Sequence, residues 1–373
     1  MQYYRSLAKF NWTVILIIFV LMIVSLLSIS STDPGSTVKG FFTGKAVIQL
    51  RHFILGWIIF FVCAFFDYNQ LKSWAFFLYI FMILSLLGVF FVPAIQNVHR
   101  WYKIPLIGMS LQPSEYAKLV LVIVLSWFLE NSIAHISSFK TAIIALLIVF
   151  FPFVLILKEP DLGTALVLCP ISLTIFYLGN INKWIIKIFS ILGVFLLAFI
   201  LCIFLGFISH EKLKPVATKV IKEYQYERLN PTNHHQWASV TAISIGGFLG
   251  KGWREGSFSG HGWLPYGQTD SIFSAIGEEF GFVGLLCILG LFYYLIYFGC
   301  RATAVAKDYF GKLLSVGLTV YIIMHVLINV GMMCSLLPVT GVPLILLSYG
   351  GSSILATMTA LGLLQSVYSR RYY

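Results

Sequence analysis

The chain has 373 residues, 59% of them hydrophobic and only 10% charged, with a formal net charge of +11. Soluble domains carry about 25% charged residues, and the mean hydropathy here is +0.90. A water-soluble globular fold is excluded. The positive balance needs no nucleic acid as partner, because basic loops beside anionic membrane lipids make membrane proteins cationic.

In chain order, apolar runs near the ~20 residues that cross a bilayer predict ten membrane helices. They cover roughly 12–30, 47–66, 73–92, 113–129, 141–157, 162–179, 184–208, 272–299, 313–336 and 343–367. The expected fold class is therefore all-α, a single integral membrane domain over 1–373. The first run reads as a retained helix rather than a signal peptide, because no small-residue cleavage site follows it. An even number of spans puts both termini on one side. Arg5, Lys9, Lys72, Lys140, Lys183, Lys187, Arg301, Lys307, Lys312, Arg370 and Arg371 fall on that side. Basic residues mark the cytoplasmic face, so both termini are expected inside. The one long loop, about 209–270 between spans seven and eight, then faces outward. Lys39, Lys45, Arg51, Arg100, Lys103 and Lys158 sit close to the membrane on the outer side. An anionic ligand on that side would account for them.

Cys63, Cys169, Cys202, Cys287, Cys300 and Cys334 all lie in or at the ends of apolar helices. Their spacing fits neither a metal motif nor a disulfide framework, and they read as packing residues. His234, His235 and His261 lack acidic or thiol partners at ligand spacing. No P-loop or dinucleotide fingerprint is present, which argues against ATP hydrolysis or nicotinamide chemistry.

The charged residues left inside or beside the spans carry the functional signal, because such charges are costly and usually serve chemistry or binding. Gln112-Pro113-Ser114-Glu115-Tyr116-Ala117-Lys118 opens span four. Pro113 suits a first helical turn, and Glu115 and Lys118 share a face at i,i+3. They form either a structural pair or the lining of a substrate cavity. Asp161, in Lys158-Glu159-Pro160-Asp161-Leu162-Gly163-Thr164, either caps the next helix or answers a cation such as Lys118 or Arg100. Arg51 and Arg100 are interfacial cations whose convergence would suit a diphosphate.

The outer loop holds Lys212, Lys214, Lys219, Lys222 and Arg228 among glutamates, the pattern of an amphipathic surface helix. Gly246-Gly247-Phe248-Leu249-Gly250-Lys251-Gly252-Trp253 follows, implying tight turns or close backbone approach. The loop closes on Leu264-Pro265-Tyr266-Gly267-Gln268-Thr269-Asp270, just before a helix bearing Glu278 and Glu279. Pro338, Gly341, Pro343 and the run Ser348-Tyr349-Gly350-Gly351-Ser352-Ser353 lie at membrane depth. Broken backbone there is tolerated where protein or a wet cavity satisfies it, so a re-entrant or broken element is expected.

In combination, these motifs resemble the SEDS family (shape, elongation, division and sporulation), the bacterial peptidoglycan polymerases that include RodA and FtsW. The resemblance covers essentially the whole chain, and Gly250-Lys251-Gly252-Trp253 resembles the RodA branch more than the FtsW branch. Tyr266, Gln268 and Ser271 depart from the usual Glu, His and aromatic residue, and Ala238-Ser239 and Ser244-Ile245 replace the usual Gln-Ser and Gly-Ser. The resemblance implies lipid II as substrate and Asp270 as the general base on the acceptor sugar hydroxyl. Polyprenyl pyrophosphate would be the leaving group and configuration would invert. It implies Arg51, Arg100, Glu115, Lys118, Asp161, Lys251, Glu278 and Ser348 as substrate-binding residues. Help from a divalent cation, Mg or Mn, is compatible with it, and no metal ligands are identified. The implied partners are the nascent glycan strand, a class B penicillin-binding protein and membrane lipids. The implied setting is the bacterial cytoplasmic membrane, with the active site outside.

The rival expectation is a lipid-linked sugar flippase or another transporter, which would share ten spans and a polar interior. A flippase needs polar groups across the whole thickness, whereas spans six and seven look almost wholly apolar. A scaffold that recruits partner enzymes is the third alternative.

Overall fold

The computed structural model describes residues 10–33, 43–93, 100–104, 109–207, 214, 226, 230 and 234–371. Lys39, Lys212, Lys219, Lys222 and Arg228 lie outside the described residues, and with them most of the expected surface helix. A helix stands at each of the ten expected positions. These are α1 (Trp12–Ser31), α2 (Gly44–Phe65), α3 (Leu71–Gly88), α4 (Pro113–Asn131), α5 (Phe139–Lys158), α6 (Leu162–Leu178) and α7 (Lys183–Phe204). After the long loop's first part, α8 (His234–Gly246) and α9 (Ser257–Gly260) precede α10 (Ile272–Val305), α11 (Tyr309–Met333) and α12 (Gly351–Ser369). Among the described residues, seven helices are long and apolar enough to cross a membrane: α1, α2, α3 with its flanking turns, α5, α7, α10 and α11. The shorter α6 has 17 residues. The fold is that of a multi-pass helical membrane protein.

Lipid decides which faces are apolar. On α3, Trp74, Phe77, Phe81 and Leu84 form one exposed stripe at helical spacing, a pattern that is stable only against hydrocarbon. Almost all of α7 is exposed in this way. At the centre, α4 is enclosed on all sides, with Leu119 through Leu125 all buried. Pro113 opens α4 at its first turn, where no backbone donor is lost. Just before it, Tyr102–Ile104 (β1) and Met109–Leu111 (β2) form a two-stranded antiparallel hairpin, with Tyr102 opposite Leu111.

Two expected spans have different shapes from those predicted. Instead of one continuous helix, α10 is broken at Gly281, where φ is 65°. Span ten, expected from 343, becomes helical only at Gly351. Residues 334–350 form an irregular segment with left-handed backbone at Ser335, Gly341 and Leu346. Pro338 and Pro343 lack backbone donors, and neither a helix nor a ladder can run through them. This is the broken element that the Pro and Gly content predicted.

Candidate active site

Asp270 ends a turn whose backbone is held from both sides. The Tyr266 carbonyl, on a residue with φ 53°, accepts from Thr269 N at 2.9 Å and Ser271 N at 3.1 Å. The carbonyls of Gln268, Thr269 and Asp270 are taken by the irregular segment and α11. Tyr349 N donates to Gln268 O at 2.8 Å. Ser348 Oγ donates to Thr269 O at 2.6 Å. Asn329 Nδ2 donates to Asp270 O at 2.9 Å. Asp270 itself is half-buried at this junction. Ser271, next in sequence, is fully buried. Its hydroxyl donates to Pro265 O at 2.8 Å and meets His235 Nε2 at 2.7 Å. A hydroxyl at 271 thus fits a polar socket that an aromatic ring would not.

Helix α2 closes the other flank with a polar face. Lys45 Nζ donates to Gln268 Oε1 at 2.8 Å and pairs with Asp33 at 3.4 Å. Gln49 Nε2 donates to Ser348 O at 3.1 Å, and Gln49 Oε1 accepts from Gly350 N at 3.3 Å. Lys45, Gln49 and the buried His52 recur at i, i+4 and i+7 on an otherwise apolar helix. That periodicity was a signal available in the sequence. Sequence reasoning passed over Gln49, noted Asn329 without giving it a role, and treated Lys45 only as an outer cation.

The glycine-rich run and the break in α10 form one structure. Gly281 leaves the helix, exposing carbonyls before it and amides after it. Lys251 N donates to Glu278 O and Gly252 N to Glu279 O, both at 3.0 Å. Phe282 N donates to Gly247 O at 2.9 Å and Val283 N to Phe248 O at 3.2 Å. The two backbones touch, and a Cβ on Gly250 would lie 2.2 Å from Glu279 O. The Glu278 carboxylate is fully buried and accepts from Phe258 N at 2.7 Å, Ser259 N at 2.9 Å and Ser257 Oγ at 3.2 Å. It caps α9 and anchors the loop that leads to Asp270. Lys251 contributes its backbone to this junction and exposes its side chain.

A second polar cluster lies inside the bundle. Lys118, with 0% exposure, donates to Glu115 Oε1 at 2.9 Å. It meets His325 Nε2 at 2.9 Å, and its ammonium lies 5.3 Å from the centroid of the Tyr321 ring. Glu115 also lines an apolar cavity of about 270 Å³, with Cys63 and Leu111 among its other lining residues.

At the turn between α5 and α6, Asp161 caps α6, accepting from Thr164 N at 3.2 Å and Thr164 Oγ1 at 2.9 Å. It also accepts from Gln112 Nε2 at 2.8 Å and Ser114 Oγ at 2.9 Å. Of the two roles open to Asp161, the structure shows the cap. Arg100 donates through Nε to Glu159 O at 2.7 Å and through Nη2 to Pro160 O. The Glu159 side chain is almost fully buried. Burial pushes its carboxyl up to about 9, with Asp161 adding to the rise and Arg100 opposing it. Arg51 is exposed on α2. Among the described residues, no group of three or more His, Cys, Asp or Glu side chains is placed to hold a metal ion.

The structure therefore joins Ser348 to the Asp270 turn, Lys251 to Glu278 through the backbone, Glu115 to Lys118, and Arg100 to the Asp161 turn. The last cluster reaches α12 through Gln112 N, which donates to Ser352 Oγ at 3.0 Å.

Comparison with known proteins agrees with this architecture. The family model for the FtsW, RodA and SpoVE cell cycle proteins matches residues 5–373. The peptidoglycan glycosyltransferase MrdB of Escherichia coli K12 is 31% identical over 360 residues, covering 96% of this chain and 93% of the relative. Stage V sporulation protein E of Bacillus subtilis is 34% identical over 316 residues, covering 82% of each. A chain from a solved peptidoglycan synthase complex superposes with a TM-score of 0.77 at 25% identity, covering 97% of this chain and 98% of that one. Thermus thermophilus RodA superposes with a TM-score of 0.70 at 23% identity, covering 98% of both chains, which is a likeness of fold. With its motifs, its fold and a match along nearly its whole length, this chain belongs to the FtsW, RodA and SpoVE family of cell cycle proteins.

Proposed function

We propose that this protein is a peptidoglycan glycosyltransferase that polymerises lipid II into glycan strands at the outer face of the bacterial cytoplasmic membrane. Membership of a family whose relatives are named peptidoglycan glycosyltransferases supports the activity. The observation that carries the site is the Gln268–Asp270 turn, whose three carbonyls are held so that one half-buried carboxylate stands at a fixed place.

In this reading Asp270 takes the proton of the acceptor's sugar 4-hydroxyl. That oxygen attacks the anomeric carbon of the growing glycan. The bond to polyprenyl pyrophosphate breaks, the diphosphate carries the electron pair away, and the configuration inverts. A positioned base contributes ~10²–10⁴-fold. Charge on the leaving diphosphate needs stabilising as well, and Arg51, Lys251 and Lys45 are the cations we assign to it. Lys118 and Arg100 donate to groups inside the protein, so they contribute by shaping the cavity and the 158–161 turn.

Ten crossings, with both termini inside and the 209–270 loop outside, complete the reading. A class B penicillin-binding protein is the proposed partner, supported by the likeness to a chain from a peptidoglycan synthase complex. Purified protein given labelled lipid II is expected to make strands that a muramidase digests, and Asp270→Asn to abolish them. Transfer of lipid II across liposomes without polymer would replace this reading with that of a flippase. Polymer made by Asp270→Asn at the wild-type rate would remove Asp270 from the mechanism.

A further inference from the structure

Asn329 is a buried amide near the C-terminal end of α11, with no solvent exposure. Its Nδ2 donates to two backbone carbonyls, Asp270 O at 2.9 Å and Val342 O at 2.9 Å. Two carbonyl partners fix the amide orientation, because an oxygen facing them would be repelled. The other end, Oδ1, is buried without a hydrogen-bond partner among the described residues. An idle buried acceptor is costly, and a leucine would fill the same space without it. What the amide provides is therefore its two donors. They tie the Asp270 peptide to the irregular 334–350 segment through α11.

The tie completes a three-point hold. Gln268 O, Thr269 O and Asp270 O are taken in turn by Tyr349 N, Ser348 Oγ and Asn329 Nδ2. Ser348 is itself locked, since its Oγ also accepts from Leu344 N at 2.9 Å. With the Tyr266 carbonyl holding the amides of Thr269 and Ser271, the Asp270 main chain is held before and after the residue. The point from which the carboxylate projects is thereby set.

We propose that Asn329 is a positioning residue for the reaction, holding the Asp270 backbone so that its carboxylate stands within reach of the acceptor hydroxyl. The proposal rests on the general-base reading of Asp270. Small errors in the placement of a reacting group are expensive in rate. Asn329 makes its contact with the Asp270 main chain, so its loss should appear in turnover rather than in affinity.

The test is steady-state polymerisation of lipid II by full-length protein carrying Asn329→Leu, Asn329→Ala or Asn329→Ser, each checked for thermal unfolding in detergent. Leucine keeps the branched side-chain skeleton at a larger volume and removes both donors, so a packing role predicts a lowered unfolding temperature with wild-type kcat for it. Positioning predicts instead that kcat falls at least ~10-fold in the leucine and alanine variants, with KM changed less than ~2-fold. Asn329→Ser, which keeps one donor, should fall between them and the wild type. Should leucine or alanine prevent folding, the serine variant decides alone: reduced kcat at unchanged KM supports the proposal. A folded variant with wild-type kcat, or a loss confined to KM, overturns it. Asp270→Asn is run beside them. If that variant polymerises normally, the general-base reading fails on its own, whatever the Asn329 variants do.

Discussion

Lys118 on α4 and His325 on α11 meet at 2.9 Å in a place closed to solvent. The ammonium has only donors, so His325 Nε2 accepts and the imidazole proton sits on Nδ1, which lies 3.1 Å from Pro343 O. Lys118 thus grips Glu115 on its own helix and, through His325, the middle of the irregular segment that holds the Asp270 turn. A buried charge survives only when paired and hydrogen-bonded, and this arrangement supplies both.

Breaking that pair should be severe. Glu115→Ala leaves the Lys118 charge uncompensated, and Lys118→Ala leaves the carboxylate uncompensated. Each is expected to cost ~3–5 kcal/mol, the range for one partner removed from a buried pair. Replacing both together, as Glu115→Gln with Lys118→Met, should cost clearly less. Thermal unfolding of the three detergent-purified variants checks the order. Equal losses in all three would show that the pair is not coupled.

Glu159 predicts how stability responds to pH. Its folded carboxyl is raised to about 9 by burial, above the ordinary 4.5. Its contribution is therefore intact below pH 4.5 and is lost progressively as pH rises through 9. Glu159→Gln keeps the shape without the ionisation. It should flatten the decline in unfolding temperature between those limits and raise the midpoint at pH 8. An unchanged pH profile in the variant would contradict the assignment.

The junction at the break of α10 leaves no room for a side chain at Gly250 or Gly281. Gly281 has φ 65°, and a Cβ there would lie 2.3 Å from Gly250 N. Gly281→Ala combines an unfavourable backbone, ~1–3 kcal/mol, with a clash against main chain that cannot rotate away. Poor folding or a large drop in unfolding temperature is expected, whereas Gly290→Ala, where a Cβ meets nothing within 4 Å, should be neutral. Comparing yields and unfolding midpoints of the two settles it.

Glu278→Gln tests the anchor of the loop that leads to Asp270. One carboxylate oxygen accepts from Ser259 N and the other from Phe258 N and Ser257 Oγ. A glutamine puts an NH2 group where one of these acceptors stood, stranding a buried donor at ~1–3 kcal/mol. Hydrogen exchange should quicken over 255–264 while α4 and α11 stay protected. Uniform protection across the chain would refute the anchoring role.

Membrane topology can be checked directly. Single cysteines placed at 230 and 371, in a background where the six native cysteines are replaced, should label from opposite sides of intact cells, with 230 outside. Labelling of both from one side would remove the ten-crossing arrangement.

The sequence by itself determined the class and the helices of this protein. Runs of apolar residues near ~20 long have one stable outcome in a bilayer, because every backbone group must be satisfied inside the segment. It also marked where regular structure fails: the Pro and Gly residues between Leu337 and Gly351, and the glycines from 246 to 252, both appear as irregular backbone. The pairing of Glu115 with Lys118 was legible from their i,i+3 spacing.

Tertiary structure decided what local periodicity cannot carry. Asp161 could cap a helix or face a cation, and only the approach of Gln112 and Ser114 made it a hub with four donors. The glycine-rich run became the seal of a broken helix some thirty residues on, because amides and carbonyls freed at Gly281 need partners that only a distant segment supplies. Asn329, 59 residues from Asp270, shows the same logic. A hydrogen bond between remote residues leaves no trace in either local pattern, since it depends on how packed helices bring unrelated segments to one point.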